Sequence, residues 1–220
     1  MWSGVNPTSL DHVALWVTER DAISNFATAH LGMHVIERTD RFTLIGADAR
    51  RGKLTLFEET GPRDPGALAR IGLRVTDLGS ARAALPAGSP EVFDVGEGLM
   101  ITLVEGETDV DYDLDHVALR SHDPEAAARE WLRYGFTESG ATRVEVGGAY
   151  LELLEGDPGK TERPLLNHLS VLVDQAAPAQ ELGVEVADVV DAPNTFAVFV
   201  WGPDRVKLEY VEHKASFSLR

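Results

Sequence analysis

The 220-residue chain contains no cysteine. Disulfides, thiolate catalysis, Cys-ligated zinc and iron–sulfur clusters are therefore excluded together. No apolar run approaches the roughly 18 residues that a membrane-spanning helix needs. Met1 to Asp11 shows no cationic start followed by an apolar stretch, so no signal peptide is expected and the cytoplasm is the default compartment. Cations are scarce as well. Lys and Arg number 20 against 36 Asp and Glu, a net charge of −16 and a pI near 4.7. That balance repels phosphate backbones and anionic lipid, so neither nucleic acid nor membrane is an expected partner. With 44% apolar and 25% charged residues, the composition is that of an ordinary globular protein, one large domain or two small ones.

What the chain does have is a repeat. Leu10-Asp11-His12-Val13-Ala14-Leu15 recurs letter for letter as Leu114-Asp115-His116-Val117-Ala118-Leu119. Looser copies run from Leu166 to Val171 and from Leu68 to Leu73, so four modules of about fifty residues organise the chain. Each opens on an apolar, β-branched run that reads as a buried strand. Helical stretches follow in the first module, 21–27, and in the third, 123–132. Asp21 and Asp123 are N-cap types, Pro124 suits a first helical position, and Gly32 and Gly135 stand where helix stops belong. Short strands close the modules at 41–45 and 53–58, at 142–146 and 149–154, and at 195–200 and 206–211. Gly147-Gly148 reads as a hairpin turn, and linkers are expected at 61–65, 107–113 and 157–164. Strand, helix, then two or three strands is an α+β module.

Residues two apart on a strand share a face, which singles out one position in each opening strand: His12, Arg70, His116 and His168. Aligning the closing strands on their terminal acid gives Thr55, Thr102, Glu152 and Glu209. The C-terminal half then offers His, Glu, His and Glu, and the N-terminal half His, Thr, Arg and Thr. Two imidazoles and two carboxylates suit one divalent ion of Fe, Mn, Co, Ni or Zn with open positions for substrate. A buried carboxylate would otherwise cost several kcal/mol.

Four βαβββ-type modules with His opening and Glu closing resemble the vicinal oxygen chelate superfamily, over about Leu10 to His213. That superfamily includes glyoxalase I, extradiol dioxygenases and bleomycin resistance proteins. The resemblance implies two paired, cup-shaped half-barrel domains. With adjacent modules paired, these are 1–108, without a ligand set, and 109–220, holding a metal on His116, Glu152, His168 and Glu209. Four modules in one chain remove the need to dimerise merely to complete a cup, and the oligomeric state is left open.

Glyoxalase and epimerase members imply metal-assisted proton transfer on a small oxygenated substrate, with Glu152 or Glu209 as base. Extradiol dioxygenases imply ring cleavage on a His, His, Glu triad, matched by His116, His168 and Glu209. Their closing motif also carries a further histidine, a tyrosine and a Gly or Pro. Here no histidine lies between His168 and His213, and Phe199 and Arg205 fill the other two places. On those residues the chain leans to proton transfer. A drug-sequestering cup without metal and a non-enzymatic scaffold are the rival classes. His12 reads as a strand-packing histidine, and Arg70 as a surface or ion-pair residue. His30, His34, His122 and His213 read as exposed. Trp16, Trp131 and Trp201 read as packing, with Trp201 able to line the mouth of the cup. The acidic run from Glu105 to Asp113 reads as a solvated inter-domain linker.

Overall fold

The computed structural model describes residues 5–61, 63–159 and 162–218. Residues 1–4, 62, 160–161 and 219–220 lie outside the description, so part of the segment read for a leader and of the linkers 61–65 and 157–164 falls there. The first module comprises β1 (Ser9–Val17), α1 (Arg20–His30), β2 (His34–Arg38), β3 (Phe42–Asp48) and β4 (Arg51–Glu58). The second has β5 (Leu68–Val75), α2 (Leu78–Ala83), β6 (Val92–Asp94) and β7 (Met100–Glu105). The third has β8 (Asp113–Ser121), α3 (Pro124–Trp131), β9 (Thr137–Gly140), β10 (Arg143–Val146) and β11 (Ala149–Glu155). The fourth has β12 (Leu166–Leu172), a 3₁₀ turn Ala177–Glu181 in place of a helix, β13 (Val186–Asp191), β14 (Thr195–Trp201) and β15 (Lys207–His213).

The helix ends follow local chemistry. Asp123 caps α3 by accepting from the Ala126 amide at 3.0 Å, and the left-handed Gly135 closes the short turn after it. Asp21 sits inside the first turn of α1 rather than at its cap, which is Glu19 without a side-chain bond. Ile23 and Ala27 of α1, and Ala127, Ala128 and Trp131 of α3, are buried in the apolar core against the strands. The strands β2, β6, β9 and β13 were not legible in the sequence. Each is short or largely exposed and carries little apolar alternation.

The strands form two sheets, in the orders β13-β14-β15-β12-β1-β4-β3-β2 and β6-β7-β5-β8-β11-β10-β9. Module one therefore pairs with module four, and module two with module three. This corrects the expected division into 1–108 and 109–220. The central seams are antiparallel, β1 on β12 and β5 on β8. One physical reason is visible at the second seam. A Cβ placed on Gly72 would fall 2.2 Å from the His116 ring, so the ring fits over β5 only because that residue is glycine. The acidic run from Glu105 to Asp113 accordingly joins β7 to β8 within one sheet, and Tyr112 in it is buried. Across the sheets, the buried Tyr210 hydroxyl donates to the Tyr134 carbonyl at 2.9 Å, and the Tyr134 hydroxyl donates to the Trp201 carbonyl at 3.0 Å.

Candidate metal centre in the first sheet

One register repeats in all four modules. Ala14 pairs with Thr55, Gly72 with Thr102, Ala118 with Glu152 and Ser170 with Glu209. Each closing residue is thus aligned with the residue two beyond its opening partner, as the sequence alignment expected. Because module one pairs with four, the groups brought together are His12, Thr55, His168 and Glu209. His116 and Glu152 lie in the other sheet, with Arg70 and Thr102. The expected set of His116, Glu152, His168 and Glu209 is therefore divided, and His12 replaces the pair that was lost.

A bulge in each opening strand orients the imidazoles. The pairing of β1 with β12 skips Asp11 on one strand and Asn167 on the other, and the β5–β8 pairing skips Ala69 and Asp115. An extra residue breaks the alternation of faces, so neighbours in sequence can reach each other. His12 Nδ1 lies 2.7 Å from an Asp11 oxygen, His116 Nδ1 2.8 Å from Asp115 and His168 Nδ1 3.1 Å from Asn167 Oδ1. Donation from Nδ1 leaves Nε2 of the neutral ring as a lone pair, the form that ligates metals. Sequence reading passed over Asp11 and Asn167 because strict alternation sends them away from the histidines. Their place in the repeated hexapeptide was the available sign.

In the first sheet the three inner atoms make a nearly equilateral triangle. His12 Nε2, His168 Nε2 and Glu209 Oε2 are each 3.2 Å from the other two. For metal bonds of about 2.1 Å, the edge between ligands is about 3.0 Å at octahedral angles and about 3.4 Å at tetrahedral angles. The observed edge falls between them. Glu209 Oε2 is buried and takes part in no hydrogen bond of regular geometry. Among the described residues this is the one cluster of three such donors. The residues fit a divalent ion. Thr55, buried and neutral, stands at the fourth position.

The electrostatics agree. Burial opposes charge on His12, but Glu209 and the bond to Asp11 outweigh it and raise its pKa to about 9. Glu209 is held far below the ordinary carboxylate range: burial works upward, and the two imidazoles prevail. Burial lowers the His168 pKa, assisted by the charges of His12 and Lys207. Asp11 is buried too, yet Lys53, His12 and His213 keep it ionised. The buried Lys53 Nζ lies 2.9 Å from both Asp11 oxygens and donates to the Ala49 carbonyl at 2.7 Å. His213, expected to be exposed, has its Nε2 3.3 Å from Asp11 and stacks on Phe217.

The second sheet uses the same positions differently. The Arg70 guanidinium pairs with Glu152, as one reading of Arg70 anticipated. His116 packs against Gly72 and stacks on Tyr150 with ring centres 4.8 Å apart, its Nε2 buried without a partner. A guanidinium stands at the register position that His12 takes in the first sheet.

Beyond the triad, the same face continues as an aromatic shelf. Phe199 and Phe57 lie 5.1 and 6.3 Å from the His168 ring, and Trp16 lies 5.4 Å from Phe57. A cavity of about 440 Å³ follows, bounded by Trp16, Leu166, Trp201, Arg205 and Lys207 among others. Trp201 thus lines the mouth, as anticipated. Asp204 and Arg205 in the β14–β15 turn both have left-handed backbones, φ 53° and 60°. That conformation is costly for side-chain-bearing residues and explains why a Gly would be easier at Arg205.

A family model described as Glyoxalase/Bleomycin resistance protein/Dioxygenase superfamily matches residues 9–106. A search of the curated proteins found no match. Among solved structures, the chain is similar to a proposed dioxygenase from Bacillus subtilis subsp. subtilis str. 168, at 16% identity and a TM-score of 0.76, covering 97% of this chain and 88% of that one. It is similar to a point mutant of glyoxalase I from Zea mays, at 14% identity and 0.73, covering 93% of each. It is also similar to the cppA protein from Streptococcus pneumoniae TIGR4, at 16% identity and 0.66, covering 95% and 100%. Residues 9–106 thus match that family model, and the chain over its length has the vicinal oxygen chelate fold seen in these dioxygenase and glyoxalase structures.

Proposed function

We propose that the chain holds one divalent metal ion on His12, His168 and Glu209 and acts on a small oxygenated molecule in the same cup. The observation that carries this reading is the triangle of three buried donor atoms, one of them a carboxylate oxygen without a regular hydrogen bond. A bound ion would supply Lewis acidity and open positions for oxygen ligands. Asp11 and Asn167 fix the two imidazoles, Glu209 supplies the negative charge, and Phe57 and Phe199 keep water from the approach.

Of the two chemistries, oxygenation is favoured over proton transfer. A carboxylate base that leaves the metal needs a second carboxylate at the site. Thr55 occupies that position, and Glu152 is engaged by Arg70 in the other sheet. Two histidines and one carboxylate with open positions are the protein half of non-haem iron oxygenase sites.

Elemental analysis of protein purified without added metal or chelator tests the reading. About one equivalent is expected, lost in His12→Ala and Glu209→Gln and retained in His116→Ala. Iron, with oxygen uptake in the presence of catechols, supports oxygenation. Zinc, nickel or cobalt without oxygen uptake turns the reading to isomerase or lyase chemistry. No metal, even on titration, overturns it and leaves a binding cup.

A further inference from the structure

We infer that the cavity beside the triad binds the body of a planar apolar molecule bearing an anionic group, with Lys207 as the charge that selects it. The inference rests on the metal-site reading for its catalytic meaning, but its own support is independent of the ion. On β15, Lys207 lies two residues before Glu209 and so on the same face, about 7 Å along the strand. Register carries the rest of the pocket the same way: Glu209 pairs with Phe199, and Lys207 with Trp201. Trp16 pairs with Phe57, which faces His168. Triad, aromatic shelf and cavity are therefore successive steps on one surface.

The cavity's volume of about 440 Å³ suits a ring with a small substituent. Trp16 and Trp201 offer flat walls to such a ring. Two cations sit over Trp201. The Arg205 guanidinium, 4.2 Å from the ring centre, is occupied by Glu185 at 2.7 Å. Lys207 Nζ, 5.3 Å from the same centre, has no carboxylate within salt-bridge reach among the described residues. Asp188 on β13 acts on it from beyond that reach, and burial outweighs the effect. Glu162 and Asp204 also border the cavity from its loops, and neither forms a salt bridge with Lys207. In a chain of net charge −16, a half-buried lysine without a bonded acidic partner is available to an anion. The two left-handed residues of the β14–β15 turn hold this wall in place at a cost in backbone strain.

The test uses benzoate as probe on chelator-treated protein, read by tryptophan fluorescence. Saturable quenching is expected, and benzyl alcohol, which lacks the charge, should bind at least about tenfold more weakly. Lys207→Met should weaken benzoate by at least about tenfold, while Lys207→Arg keeps it within a few-fold. Circular dichroism verifies that both variants are folded, and metal uptake is measured beside them. No saturable response, or equal affinity in Lys207→Met, overturns the pocket whatever the metal result. Lys207-dependent benzoate binding without metal uptake upholds the pocket and overturns the metal-enzyme reading.

Discussion

Replacing Gly72 by alanine would test the pairing of β5 with β8, on which the division of the candidate residues rests. Gly72 needs no unusual backbone, so the effect of a methyl group there is steric. The added Cβ would lie 2.2 Å from both Cε1 and Nδ1 of His116 and 2.9 Å from its Cγ. The ring has nowhere simple to go: Tyr150 stacks on it and Asp115 binds its Nδ1 at 2.8 Å. Forcing it aside loses a hydrogen bond to a charged group, about 1.5–3 kcal/mol, and a stacking contact, about 0.5–1.5 kcal/mol. Parting the strands instead costs about 1–3 kcal/mol of overpacking. Against this stands a gain of about 0.4–1 kcal/mol from a less flexible unfolded chain.

Parting the strands is the less costly route, so a net loss of about 1–2 kcal/mol is expected, which lowers Tm by roughly 2–8 °C in a chain of this size. Calorimetry or circular dichroism reads the shift. The second substitution His116→Ala, made in the Gly72→Ala background, removes the obstructing ring and should recover much of the loss. A double-mutant cycle isolates that coupling. Metal uptake in the first sheet should be unaffected by either change. A Gly72→Ala protein within about 0.5 kcal/mol of the parent, or a cycle without coupling, would refute the seam.

Two further outcomes follow from the site. In metal-free protein the His12 pKa is raised to about 9 by Glu209 and Asp11 against burial. Its stabilising contribution is fully present below the unfolded value near 6.5 and is lost as pH rises through 9, on the order of 3 kcal/mol. Urea titrations from pH 6 to 10 should show this slope, and a His12→Asn variant that keeps it would remove His12 as the cause. By the same token metal affinity should rise about tenfold per pH unit up to that point, because the ion displaces the His12 proton. Arg70→His should create a second, weaker metal equivalent, by completing in the second sheet the His, Thr, His and Glu of the first. Equilibrium dialysis that still finds a single equivalent at millimolar metal would show that the register does not suffice.

The four modules were legible because strand alternation and the hexapeptide repeat are local properties of the chain. The register positions of His12, His116, His168 and Glu209 followed from the same alternation, and the pairings of Ala14 with Thr55 and Ser170 with Glu209 bear them out. Which modules pair was not legible in that way. Alternation says which face a residue takes and nothing about which strand lies alongside, so counting ligands favoured the C-terminal half. Gly72 carried the relevant information, as a position with room for a partner's ring, but only His116 set over it gives that meaning. Asp11 and Asn167 were hidden for the opposite reason. A one-residue bulge reverses the rule from which their faces were read.

The two sheets differ at few positions, though only the first brings together the three donors of the proposed metal site. Both present four inward positions at one register, and both hold a histidine and a glutamate there. In the second sheet the guanidinium of Arg70 already neutralises Glu152, so an arriving cation meets positive charge where the first sheet offers an imidazole lone pair. Restoring a histidine removes that charge, and His116 Nε2 is buried and without a partner, its Nδ1 held by Asp115. What remains different is the residue before it. The first sheet has Asp11 and Asn167 in its two bulges, the second Ala69 and Asp115. A methyl group cannot bind Nδ1, so the new imidazole would rotate and change tautomer freely. Loss of such a partner weakens metal binding by about 10–100-fold. The weak second equivalent from Arg70→His should therefore tighten by about that factor when Ala69→Asp is added, with the first site unchanged. Equal affinity with and without Ala69→Asp would mean that the bulge residues do not orient the ligands, and the role given to Asp11 in the first site would fall with it.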